Sequence, residues 1–158
     1  MKRKKIIKIG IITVVAGIVI AGSVGFYMFN MPHRDVQSAK ADFSLISSEI
    51  VAEYLANKDA ANEKYLAADG DSKILEITGQ VAKISEDFDG NKVVLIKNDG
   101  DKVGVSATFT PETNTNAAKI KIGQNVTIKG VIRSGAAYDS DLELYENVIL
   151  EKSDVVNK

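Results

Sequence analysis

The stretch SEDFDG, residues 85 to 90, comes nearest to a chemical signature in this chain. Ser85, Asp87, Asp89 and Gly90 fall at the first, third, fifth and sixth positions of a calcium-binding loop. Such a loop needs a bidentate Glu at its twelfth position. Here that position is Ile96, inside an apolar run. The better reading is a hairpin turn made by Asp and Gly. Nucleophile–histidine chemistry is excluded from the domain by residue type: the chain has no Cys and one His, His33, in a polar linker. Zinc is disfavoured for the same reason. The 21 acids leave carboxylate acid–base pairs open, but no spacing singles one out. The expectation is no catalytic residue, no metal and no cofactor.

The elements that would position a site follow from charge and periodicity. The chain of 158 residues carries 20 cations and 21 acids, a net charge of −1. That balance hides an asymmetry. Lys2, Arg3, Lys4, Lys5 and Lys8 precede a run, residues 9–29, with no charge at all. The remainder holds 15 cations against 21 acids, near −6.

Twenty-one uncharged residues in a helix span roughly 30 Å, the thickness of a bilayer's hydrocarbon layer. Cations before the run keep the N-terminus in the cytoplasm, and Phe26, Tyr27 and Phe29 suit the far interface. The length favours an uncleaved anchor. A cleaved signal, cut near Ala21-Gly22-Ser23, is the alternative. Either reading sends the domain out of the cytoplasm. An exported domain without cysteine must hold together on its apolar core.

The organisation expected is a cytoplasmic basic segment (1–8), a transmembrane helix (9–29), a linker (30–46), a helical segment (47–72), a barrel (73–152) and a C-terminal tail (153–158). In the helical segment Ile50, Tyr54, Ala61 and Tyr65 recur at helical spacing, as one helix or as two breaking near Asn57 to Asp59. Ser47 or Ser48 is the expected N-cap.

From Lys73 the period becomes two. Leu75, Ile77, Gly79 and Val81 alternate with polar residues, then come KVVLIK, the row Val103 to Phe109, NVTIKGVIRS and LELYENVILEK. Turn signals separate them, Asp-Gly among these. A polar connection, PETNTNAAK, joins the third strand to the fourth. Five strands in this order suit a small closed barrel whose first and fourth strands bend. Gly79 and Gly130 interrupt those two strands at matching places, where a chain curls or another backbone comes close.

Three stretches carry a family resemblance: NEKYL at 62–66, KILEITGQV at 73–81 and GQNVTIKG at 123–130. Together they resemble the bacterial OB-fold family called tRNA_anti-like, over Ser47 to Glu151. The resemblance implies a mainly β fold: a five-stranded Greek-key OB barrel after a helical segment. It implies no established reaction. Members often carry a Cys on the third or fifth strand, and many look like exported lipoproteins. This chain has Ser106 and no Cys, so its anchor would be the transmembrane helix.

The architecture is also similar to the membrane-anchored haem chaperone of cytochrome c maturation. That protein attaches haem through a His after its last strand, followed by a Tyr. Here the region reads LEKSDVVNK, with Ser153 near the His position and no Tyr after it. Haem binding is rejected.

OB barrels bind chains of nucleotides or sugars on the face of their second and third strands, between the loops after the first and fourth. The candidate groove rim is Glu86, Asp87, Phe88, Asp89, Arg133, Tyr138, Asp139 and Asp141. Five acids and two rings are the wrong balance for a single-strand binder, which needs cations and stacking platforms. Lys83, Lys92, Lys97 and Arg133 offset this only in part.

The function expected is a non-catalytic binding module tethered outside the cytoplasmic membrane. Its partners would be the membrane, through the N-terminal helix, and another envelope protein or a sugar, with nucleic acid disfavoured. The alternatives are a single-strand nucleic-acid binder and an enzyme with unrecognised carboxylate chemistry.

Overall fold

The computed structural model describes residues 2–29 and 35–156, with side chains placed at 13–27 and 35–156. It divides into two units, residues 1–35 and 36–158. The first unit contains the helix α1 (Lys2–Phe29), and the uncharged run 9–29 lies wholly inside it. Among the described residues no helix is long and apolar enough to cross a membrane. The side chains described in α1 cover residues 13–27, a stretch of about 22 Å. Pro32 and His33 lie outside the described residues.

The second unit is built on a closed five-stranded barrel. Its strands are β2 (Ile74–Glu86), β3 (Lys92–Ile96), β4 (Val105–Phe109), β5 (Asn125–Ser134) and β8 (Val148–Val155). They pair in the cyclic order β2-β3-β4-β8-β5, closing through β2–β5. The β4–β8 pair is parallel, and the other ladders of the ring are antiparallel. Alternation puts Leu75, Ile77, Val81, Val94, Ile96, Val105, Ala107, Phe109, Ile128, Ile132 and Leu150 inside, all buried.

The curl of β2 is legible in its ladders. Residues 74–80 pair with β5, and from Val81 onward the strand pairs with β3 instead. Gly79 stands at that change of partner. A Cβ there would come within 2.5 Å of Ile96 Cγ2 and 2.6 Å of Ser47 Oγ. Gly130 has the matching place on β5. It pairs with Leu75 of β2, while β8 bulges past it at Lys152 and Ser153. Lys152 takes a positive φ of 52° in that bulge. A Cβ on Gly130 would lie 2.7 Å from Ser153 Oγ and 3.1 Å from the Glu151 carbonyl oxygen. The glycine is needed because β8 comes so close. Gly130→Val is therefore expected to destabilise the domain by about 1–3 kcal/mol through overpacking. Equal urea midpoints for the two proteins would show the glycine to be incidental.

Before the barrel come β1 (Phe43–Ile46), α2 (Ser47–Ala56) and α3 (Lys58–Tyr65). The helical segment breaks at Asn57, whose side chain accepts the Ala60 N–H and caps α3. Ser47 is not the N-cap of α2. Ile46 holds that position, and Glu49 accepts its N–H at 2.8 Å. Ser47 is fully buried against Gly79 and accepts from Asn98 Nδ2, which also reaches Ser48.

The span expected to be linker, 30–46, is not one throughout. Residues 43–46 form β1, a parallel addition to β2. Ahead of it Val36 is buried, and Gln37 donates to the Lys152 carbonyl. Lys129, nearly buried, donates to the carbonyls of Gln37 and Ala39. An ammonium out of water needs such acceptors, so the segment is clamped to the barrel. The expected tail is also shorter, because β8 continues to Val155.

Candidate ligand face and loops

The face that OB barrels use is the outer side of β3 and β4. Alternation places Val93, Leu95, Ser106 and Thr108 there, all half-buried. The register sets Val93 opposite Thr108 and Leu95 opposite Ser106. Lys83 joins the row from β2, opposite Leu95, and Ile149 from β8, opposite Ser106. This central face offers methyl groups and hydroxyls. It carries no aromatic ring and no arginine among the described residues.

The loop after β2 makes a tight turn. Asp87 Oδ1 accepts the N–H groups of Asp89 and Asn91, at 2.9 and 2.8 Å, and Oδ2 accepts Asn91 Nδ2 at 3.1 Å. These bonds, Asn91 first, hold the Asp87 carboxyl below its ordinary range. Asp87 is occupied in shaping the turn. Glu86 is paired with Lys92. Phe88 is fully exposed at the tip, with Asp89 beside it. The short helix α4 (Asn114–Ala117) fixes the loop from the other side. Asn114 accepts the Lys92 N–H and donates to the Gly90 carbonyl.

The connection between β5 and β8 is a hairpin, β6 (Ala137–Asp139) and β7 (Leu144–Glu146). The last strand, expected to run unbroken from Leu142, is divided at Asn147. The Asn147 Oδ1 accepts the Gly104 N–H at 2.9 Å. Asp139 Oδ1 accepts the N–H groups of Asp141 and Leu142 and shapes the tip. Tyr138 packs on Tyr145 with ring centroids 4.6 Å apart. Lys102 donates to the Tyr145 hydroxyl at 3.0 Å.

The eight expected rim residues thus fall into three places. Glu86, Asp87, Phe88 and Asp89 stand beside α4, where β3 begins. Tyr138, Asp139 and Asp141 stand beyond the other end of β3, next to Lys102. The four steps from Lys92 to Ile96 alone span about 13 Å. Arg133 lies on β5, 3.8 Å from Glu151 in a long, solvated pair, and β8 separates its strand from β4. Seven of the eight therefore flank the β3–β4 face at its two ends, and Arg133 stands off it. The sequence names the face by its strands but not its residues: the alternation of β3 and β4 picks out Val93, Leu95, Ser106 and Thr108 once the core side is known.

A depression of about 300 Å³ opens elsewhere, between β2, β5 and the end of β8. Thr78 and Thr127 line it, their hydroxyls 2.8 Å apart, with Gln124, Asn125 and Val155. No titratable side chain lines it, which leaves it without acid–base chemistry.

No curated protein matches the sequence. Among solved structures, the chain is similar to a "putative nucleic acid-binding lipoprotein" from Klebsiella pneumoniae subsp. pneumoniae, at 18% identity and a TM-score of 0.54. The likeness covers 80% of this chain and all of that one, and at this identity it speaks for the fold. The tRNA_anti-like family model matches residues 1–141. The residues that carry the resemblance have structural places here: Lys64 and Tyr65 of α3 both donate to Glu53 of α2, Gly79 seats Ser47, and Gly130 admits β8. With most of its length matched and its fold a closed five-stranded barrel, the chain belongs to the tRNA_anti-like family.

Proposed function

We propose that this protein is a non-catalytic binding module, held outside the cytoplasmic membrane by its N-terminal helix, which takes an extracytoplasmic protein segment or a sugar on the β3–β4 face. The observation that carries the reading is the chemistry of that face. Val93, Leu95, Ser106 and Thr108 present methyls and hydroxyls, which suit a peptide or a sugar. The loops at its two ends are acidic, and one carboxylate in each, Asp87 and Asp139, is committed to shaping its turn.

The membrane tether rests on the sequence: five leading cations, then 21 uncharged residues in a continuous helix. Protease added to spheroplasts is expected to digest the domain after Asn30. Full protection of the domain in unbroken spheroplasts would refute the orientation.

The name of the Klebsiella protein favours a second reading, nucleic-acid binding. Against it stand the net charge near −6 after Asn30 and the lack of rings on the central face. Stacking contributes about 1–3 kcal/mol per base, and phosphate neutralisation supplies most of the rest. Phe88 and Tyr138 stand at opposite ends and offer one base each at most. Labelled oligo-dT and oligo-U are expected to show no binding tighter than about 10 µM at about 0.15 M salt by fluorescence anisotropy. Salt-sensitive binding below that value would promote the nucleic-acid reading over the first.

A further inference from the structure

The β6–β7 hairpin leaves the barrel as a separate two-stranded sheet. Its large apolar side chains are partly exposed, Tyr138 51%, Leu142 66%, Leu144 59% and Tyr145 39%, with Lys102 reaching the Tyr145 hydroxyl at one border of the ring pair. The register sorts its residues onto two faces. Tyr138 stands opposite Tyr145 on one face. The other carries Asp139 opposite Leu144, and Ala137 opposite Glu146. One face is therefore aromatic, and the other is acidic around a leucine.

The edge of β7 is open. All three of its residues are exposed, and among the described residues no strand other than β6 pairs with it. A bare, partly apolar edge strand is a template for pairing with another chain. A second copy of the same edge is a poor occupant, because it carries the same acids, Glu143 in the turn and Glu146 on the strand, and no cation to meet them. An anionic lipid surface is poor for the same reason, since Asp139, Asp141, Glu143 and Glu146 all lie within the hairpin.

We infer that the β7 edge accepts an extended segment of another protein in which Lys or Arg alternates with apolar residues, added as a third strand. An added strand continues the two-residue alternation of its neighbour. Its apolar residues extend the Tyr138–Tyr145 row. Its cations extend the row that holds Asp139, Leu144 and Glu146. The main chain supplies the ladder, and the two unlike faces fix which residues may face which way. This surface is distinct from the β3–β4 face and does not depend on what that face binds.

The test uses the full chain in a neutral detergent and a fluorescein-labelled probe, acetyl-Lys-Val-Lys-Val-Lys-Val-Lys-amide. Three comparisons accompany it: the same peptide with Glu for Lys, the Lys peptide N-methylated at alternate residues, and the Glu143→Lys/Glu146→Lys protein. The Lys peptide is expected to bind at least about tenfold more tightly than the Glu peptide, and charge reversal in the protein is expected to invert that preference. N-methylation, which removes ladder donors and leaves the charges, is expected to abolish binding. Equal binding of the N-methylated peptide would reduce the effect to charge attraction and overturn the strand addition. So would binding that ignores the Glu143→Lys/Glu146→Lys change, or no binding of the Lys peptide. Concentration-dependent dimerisation lost on that change would overturn it in favour of a second copy. Failure here leaves the β3–β4 reading standing, since Glu143 and Glu146 are not on that face.

Discussion

Gly135→Ala is expected to destabilise the domain by about 3 kcal/mol, the upper end of ordinary overpacking. A Cβ at this position would lie 1.8 Å from Cε1 of Tyr54 and 2.1 Å from its Cδ1. The ring cannot swing aside. Tyr54 is 1% exposed and stacks on Tyr65, with centroids 6.0 Å apart and planes 29° from parallel. Ile50, Val51 and Ala136 share the same buried cluster. Either the 135–136 connection moves away, loosening the start of the hairpin, or the α2 helix lifts. Interiors are packed too densely to absorb that by small adjustments. For a domain of this size the loss corresponds to a drop in Tm on the order of 10 °C. Tyr54→Ala makes room for the methyl group. It is itself costly, about 3–5 kcal/mol, as for other buried aromatic truncations. In the double variant the two losses are expected to fall well short of their sum, because the clash is gone. Urea midpoints for the four proteins decide the matter. A Gly135→Ala protein within about 0.5 kcal/mol of the parent would mean that the contact is not rigid.

Nothing in GAAYDSD announces that contact, and the reason is general to what was missed. The barrel's own strands are legible because their signal is local. Leu75, Ile77 and Val81, like Val126, Ile128 and Ile132, alternate within a few residues, and the Asp-Gly turns bracket the runs. Gly130 is legible for the same reason: it breaks a row that its neighbours define. Partners distant in the chain leave no such trace. FSLI pairs with residues 75–78, some thirty positions later, so β1 looks like linker until β2 is in place. Asn147 divides the last strand because Gly104 N–H needs an acceptor there, a fact of the third dimension. Lys129 follows Ile128 on the polar side of the β5 alternation. The alternation gives its direction correctly but not the clamped segment that covers it. The candidate rim shares this weakness. Strand order identifies the two loops, whereas their separation depends on which end of β3 each meets.

Tyr65→Ala is expected to cost about 4 kcal/mol, in line with truncating a buried aromatic side chain. Tyr65 is fully buried and joins three elements. Its ring meets Phe43 of β1 edge-on at 5.3 Å and stacks on Tyr54 of α2. Its hydroxyl donates to Glu53 Oε2 at 2.8 Å, beside Lys64, which donates to the same oxygen at 2.9 Å. Truncation would empty the space between β1, α2 and α3 and leave Ile50, Val51, Tyr54 and Ala61 to hold the helical layer to the sheet. Tyr65→Phe separates the ring from the hydroxyl. It keeps the packing and is expected to cost only about 1 kcal/mol, because Lys64 still serves the partly exposed Glu53. Its cost is also expected to depend on pH. Lys64, first, and then Tyr65 hold the Glu53 carboxyl below its ordinary value. A group with a depressed folded pKa stabilises the fold above its unfolded pKa, and that stability is lost as pH falls through the folded value. The gap between the parent and Tyr65→Phe is therefore expected to narrow from neutral pH to below about pH 4, since a neutral carboxyl takes a weaker hydrogen bond. Urea midpoints at both pH values for the parent, Phe and Ala proteins measure the ring and the hydroxyl apart. A Phe variant as damaged as the Ala variant would show that the hydroxyl, not the ring, holds the helices to the barrel.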